Sequence, residues 1–154
     1  MSDTISTILS LQCTRVGVSV PGKADVLGCL SDLLTPHVPG TSREELLEGF
    51  VRREQMGSTG IGGGIAIPHC RSSHCSETLG ALIRLEEPVE FDSIDSQPVD
   101  LVFALLGPEG DAQRHLRALG LLAERFGHAA YIRALREAHD HEALYEAAVG
   151  AEPG

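Results

Sequence analysis

The chain has no tryptophan, and Phe and Tyr together make up only 4% of its 154 residues. A core must therefore be built from Leu, Ile, Val and Ala. No apolar run approaches the roughly 20 residues that span a bilayer, so membrane insertion is not expected. Positive charge is scarce: 12 Lys and Arg stand against 22 Asp and Glu, a formal net charge of −10. That balance argues against binding nucleic acid or anionic membranes non-specifically, since both need a basic surface. Lys23 is the sole lysine. The opening MSDTISTILSLQC starts with an acid and lacks a basic segment, so it does not read as a secretory signal. A cytoplasmic location is expected, with Cys13, Cys29, Cys70 and Cys75 as free thiols rather than a disulfide framework.

The length and the 42% apolar content fit one globular domain, expected over residues 1–154. The apolar periodicity divides it. Val16, Val18 and Val20 alternate in a strand over 15–20, closed by Pro21-Gly22. Val26, Leu27, Leu30, Leu33 and Leu34 recur at helical spacing over 23–35. Thr41-x-x-Glu44 has the pattern of a capping box, opening a helix that ends near Gln55 or Met56. Strands are predicted at 65–67, 78–85 and 99–106, the last so apolar that it belongs at the centre of a sheet. Residues 88–98 read as a polar connection. Helices are predicted from Ala112 to Phe126 and over about 129–138 and 140–149, with a frayed tail after them. Strands interleaved with helices predict a layered α/β domain.

Five glycines crowd the stretch GSTGIGGGIAIPHC, residues 57–70. It fails as a nucleotide-binding loop, because Gly63 stands where the P-loop lysine belongs and Pro68 precludes a following helix. The glycines instead let the backbone turn sharply and approach a neighbour closely. In an extended segment Ile65, Ile67 and His69 share one face, with Pro68 stiffening the approach. A neutral imidazole held in this way suits a nucleophile, although a turn histidine without a role has the same local pattern. His115 lies at the edge of the helical apolar face formed by Ala112, Leu119 and Leu122, either as a core histidine or as a partner to His69. Arg53, with Arg52 and Arg71, supplies the planar cation that a phosphoryl group would need, or solvates a helix end. Ser58 and Thr59 could add hydroxyl donors. His69, Cys70, His74 and Cys75 also form a compact cluster of metal-ligating types, but adjacent residues point to opposite sides of a strand.

The segment REQMGSTGIGGGIAIPHCR (53–71) resembles the active-site region of the enzyme IIA domains of the bacterial phosphoenolpyruvate:sugar phosphotransferase system, fructose/mannitol class. The block FDSIDSQPVDLVFALLGPEGDAQRHLRALGLLAERF (91–126) is similar to the same family's region around its second histidine. The likeness runs from about Ile8 to Val149 and is to the stand-alone, nitrogen-regulatory type. It implies a mixed β-sheet flanked by helices on both faces. It also implies that His69 accepts a phosphoryl group on Nε2 from an HPr-like phosphocarrier of the nitrogen branch. His115 would hold the phosphoryl oxygens, Arg53 would balance charge, and Ser58, Thr59 and Gly60 would form the site wall. Ile61, Ile65 and Ile67 are expected to dock the partner. The phosphorylation state would then control target proteins in nitrogen, carbon and potassium regulation, with no cofactor or metal. A sugar-specific IIA component that passes phosphate to a IIB domain is the alternative within the family. Cys70, where many relatives have Gly, and His74-Cys75 depart from the pattern. They leave open a non-catalytic metal- or redox-sensing module.

Overall fold

The computed structural model describes residues 3–150, and the frayed tail expected at 151–154 lies outside them. One six-stranded mixed sheet forms the centre. Its strands are β1 (Leu9–Val18), β2 (Gly60–Gly62), β3 (Ile65–Ala66), β4 (His69–Ser72), β5 (Leu79–Val89) and β6 (Val99–Pro108). The order is β1-β5-β6-β3-β2, with β4 also paired to β6. β1 runs parallel to β5, β5 antiparallel to β6, and β3 and β4 both parallel to β6.

Helices cover both faces, as the alternation of side chains along β5 and β6 requires. Ala81, Ile83, Leu85, Val102, Ala104 and Leu106 pack toward α2 (Lys23–Leu34) and α3 (Arg43–Gln55). Leu82, Leu101, Phe103 and Leu105 pack toward α4 (Ala112–Arg125), α5 (Ala129–Glu137) and α6 (His141–Gly150). A short α1 (Ile5–Ile8) precedes β1 and joins the second core. β6 is apolar along nearly its whole length because it is buried on both faces, at the centre of the sheet.

Several elements depart from the periodicity. β1 begins at Leu9, well before residue 15, because Leu9 to Thr14 bulges against only Gly80 to Leu82 of β5. That bulge breaks the alternation on which a strand is recognised. The N-cap of α3 is Ser42, which accepts from the Glu45 backbone N–H at 3.1 Å. Thr41 instead bonds the Glu45 carboxylate. β5 continues to Val89 through Pro88, tolerated because the β5–β6 register shifts between Arg84 and Val89. β2 and β4 are short strands that no periodicity announces.

Candidate active site

The glycine stretch folds as a hairpin followed by a break. β2 and β3 pair antiparallel across Gly62–Gly64, whose φ angles of 95°, 67° and 82° are open to glycine and strained for other residues. Two side chains clamp the turn: Asp95 accepts from Gly63 N at 3.0 Å, and Arg136 donates to Gly63 O at 2.8 Å. Gly60 is required for another reason, since a Cβ there would meet Ser93 Oγ at 2.1 Å. Pro68 then interrupts pairing, and its carbonyl accepts from Leu105 N. β4 starts at His69, in register with Leu105.

His69 is half-buried, and its two ring nitrogens have partners of opposite kind. Nδ1 lies 2.8 Å from the Ile67 carbonyl, which can only accept. Arg53 Nε lies 3.2 Å from Nε2 and can only donate. The neutral ring therefore carries its hydrogen on Nδ1 and presents the Nε2 lone pair. Burial pushes the His69 pKa down, the hydrogen bond to Ile67 opposes this, Arg53 lowers it further and Glu54 raises it.

His115 sits in the first turn of α4, whose N-cap Asp111 accepts from Arg114 N. Its ring centroid is 5.8 Å from that of His69, with the planes tilted by 51°. Burial, then His69, then Arg71 push its pKa down to about 4. Both rings are thus neutral near pH 7. His115 is only 8% exposed and lies over Gly107, and its buried Nδ1 has no hydrogen-bond partner among the described residues.

The remaining candidates separate. Arg53 reaches His69 from the end of α3 and also donates to Gly57 O. Ser58 and Thr59 spend their hydroxyl hydrogens elsewhere: Ser58 donates to Phe91 O at 2.6 Å, and Thr59 to Glu54 Oε1 at 2.6 Å. They brace the loop rather than offer free donors. Ile65 and Ile67 are 2% and 5% exposed within the core under α4–α6, so they cannot be the docking rim expected of them. Ile61, at 42% exposure, is the one of the three that faces outward. Cys70 points to the opposite face, against Gly49 of α3, where burial pushes its thiol up to about 12. His74 pairs with Glu45, and Cys75 donates to Glu77 O. Among the described residues no group of three or more His, Cys, Asp or Glu could hold a metal ion.

The periodicity passed over four residues around the candidate site. Glu54, the one acid in the first motif, turns inward and accepts from both Thr59 N and Thr59 Oγ1. Ile94, 82% exposed, is isolated among polar residues between Ser93 and Asp95, the two residues that pack on the hairpin. Met56 at 79% and Leu116 at 70% are exposed beside Arg53 and His115 in the chain. An isolated large apolar residue in a polar loop is a legible signal; the inward turn of Glu54 is not.

No helix among the described residues is long and apolar enough to cross a membrane. The family profile described as "Phosphoenolpyruvate-dependent sugar phosphotransferase system, EIIA 2" matches residues 7–148. The chain is 42% identical over 143 residues to the "Nitrogen regulatory protein" of Klebsiella oxytoca, covering 92% of this chain and 88% of that one. Its identity to the protein so named from Pseudomonas aeruginosa is 42% over 139 residues, covering 89% and 90%. The crystal structure of nitrogen regulatory protein IIA-Ntr from Neisseria meningitidis superposes with a TM-score of 0.84 at 34% identity, covering 93% of this chain and 97% of that one. The crystal structure of IIA mannitol from Escherichia coli shares the fold, with a TM-score of 0.74 at 17% identity and coverage of 90% and 96%. With one profile spanning nearly all of it and full-length relatives at this identity, the chain belongs to the EIIA 2 family of the phosphoenolpyruvate-dependent sugar phosphotransferase system, in the company of its nitrogen regulatory proteins.

Proposed function

We propose that the protein is a cytoplasmic phosphoryl carrier. His69 Nε2 accepts a phosphoryl group from the phosphohistidine of an HPr-like phosphocarrier of the nitrogen branch. The resulting phosphorylation state regulates target proteins in nitrogen, carbon and potassium control. The observation that carries this reading is the pair of opposed bonds on His69, which leave the Nε2 lone pair facing a guanidinium.

In the transfer, the donor's N–P bond breaks and its electron pair returns to the donor ring, while Nε2 of His69 forms the new N–P bond. The hydrogen stays on Nδ1, donated to the Ile67 carbonyl, so no proton has to leave. Such a displacement needs positioning and charge balance more than covalent help. Arg53 would release Nε2 and turn its guanidinium onto the phosphoryl oxygens, where planar donors suit bidentate contact. Neutral His115, 5.8 Å away between ring centres, would offer a donor on the other side. Four of the five large apolar side chains exposed among the described residues are Met56, Ile61, Ile94 and Leu116, all on segments that form this site. They are the docking surface this reading requires, with Ile61 retained from the sequence and the others in place of Ile65 and Ile67.

Incubation with phosphoenolpyruvate, enzyme I and the phosphocarrier should yield an acid-labile, alkali-stable phosphate on the chain. His69→Ala should abolish it. A label that persists in that variant rejects the assignment.

A further inference from the structure

Behind the nucleophile lies a second constellation, built around a carboxylate. The Glu54 side chain is 6% exposed, and the sole lysine of the chain, Lys23 on α2, reaches it at 3.0 Å. Lys23 is itself placed over the Phe91 ring, 5.1 Å from its centroid, and touches Asp92 at 3.3 Å. Phe91 in turn accepts the Ser58 hydroxyl through its carbonyl. Glu54 holds Thr59 by both its backbone N–H and its hydroxyl, and Thr59 O accepts from Ile67 N at 3.0 Å. Ile67 O is the acceptor that fixes His69 Nδ1.

We propose that Glu54, held by Lys23, is the positioning residue of this site: through Thr59 and Ile67 it sets the ring orientation and tautomer of His69. The proposal rests on His69 being the phosphoryl acceptor. A surface ion pair at this distance would do little. Here the carboxylate is buried, so an unpaired charge would be strongly disfavoured, and its four contacts make one connected network. The connection is geometric: each link is a hydrogen bond to the next segment, and the last one ends on the reacting ring. Electrostatics act along the same line. Around His69, Arg53 and Glu54 approach from α3, His115 from α4, and Arg71 of β4 acts on His115. Among these Glu54 is the one negative group, and it favours the protonated ring.

The test compares Glu54→Gln with wild type in two measurements. Glu54→Gln keeps an acceptor for Thr59 and loses the charge that holds Lys23. Phosphoryl transfer should slow by roughly 10–100-fold, the range expected when a reacting group is misplaced by less than an ångström or so. In long-range nitrogen-15 NMR of the unphosphorylated protein, the His69 midpoint should move down and the Nδ1–H tautomer should lose population. A purely structural role would change the melting temperature, and loss of the charge alone would move only the midpoint; either would leave the His69 tautomer balance as in wild type. Lys23→Met should slow transfer in the same way, and Lys23→Arg should recover most of the rate. If Glu54→Gln does not fold, this Lys23 pair decides. Wild-type rates with an unchanged His69 titration in Glu54→Gln, or equal wild-type rates in both Lys23 variants, overturn the proposal. If wild type takes up no phosphate, the functional reading fails, while the NMR titration still judges the positioning role.

Discussion

Gly107→Ala probes the proposed role of His115 without replacing a titrating side chain. Gly107 is in β6, paired with Arg71, and its backbone lies outside the left-handed region, so alanine meets no torsional barrier. The obstacle is space. A Cβ built there lies 2.5 Å from His115 Nδ1, and restoring an ordinary 3.4 Å contact moves the ring by about 0.9 Å. His115 has little room to move, being 8% exposed. Overpacking of this kind costs about 1–3 kcal/mol, which for a chain of this size lowers the melting temperature by about 2–12 °C. If His115 orients the phosphoryl group as proposed, a displacement near 1 Å should slow transfer by up to about 100-fold. Both quantities are accessible, by single-turnover phosphorylation and by circular dichroism melting. The decisive arm is the double variant. If the loss runs through His115, then adding Gly107→Ala to His115→Ala should slow transfer by less than about twofold. Equal slowing in both backgrounds, or a wild-type rate in Gly107→Ala alone, would refute the reasoning.

Stability should fall with pH on the acid side, with a defined sign. The His115 pKa is lowered from 6.5 to about 4 in the fold, so the unfolded chain takes up the proton first and stability declines as pH drops between those values. The loss is up to about 3 kcal/mol, read by urea unfolding across that range, and His115→Asn should flatten it; an unchanged slope in the variant rejects the attribution. Arg53→Ala removes a cation that lowers His69's pKa, so the His69 midpoint should rise while transfer slows; a fall in the midpoint would contradict the geometry. Ile94→Asp should raise the KM for the phosphocarrier by about tenfold or more at unchanged melting temperature, as expected for a central apolar contact. By contrast Ile67→Ala should lower stability by about 2–4 kcal/mol, because Ile67 is core, and a variant as stable as wild type would return it to the surface.

The layered α/β class, α2, α4, α5, α6 and the central position of β6 were all legible from apolar spacing. Each depends on a local period that burial on one or two faces imposes. The failures have equally local causes. The bulge in β1 hid its first half, and the one-residue slip at the α3 cap came from two adjacent hydroxyl residues, Thr41 and Ser42, with acids in register for both. Ile65 and Ile67 share a face with His69 in sequence pattern, but that face is covered by α4–α6 up to the point where His69 emerges. Alternation cannot distinguish a covered face from a rim, and the docking expectation failed for that reason.

By itself, the sequence determined the family motifs and the glycine positions and singled out His69 as the candidate nucleophile, because these depend on residue types at fixed short spacings. Tertiary structure decided the rest. It brought His115 from a distant helix to within 5.8 Å of His69, between ring centres, and it turned Arg53 onto Nε2 and the Ile67 carbonyl onto Nδ1. It drew Ser58 and Thr59 away into the loop and sent Cys70 to the opposite face. Which lone pair a histidine presents depends on which groups lie 3 Å from it, and those groups come from segments that only the folded sheet brings together.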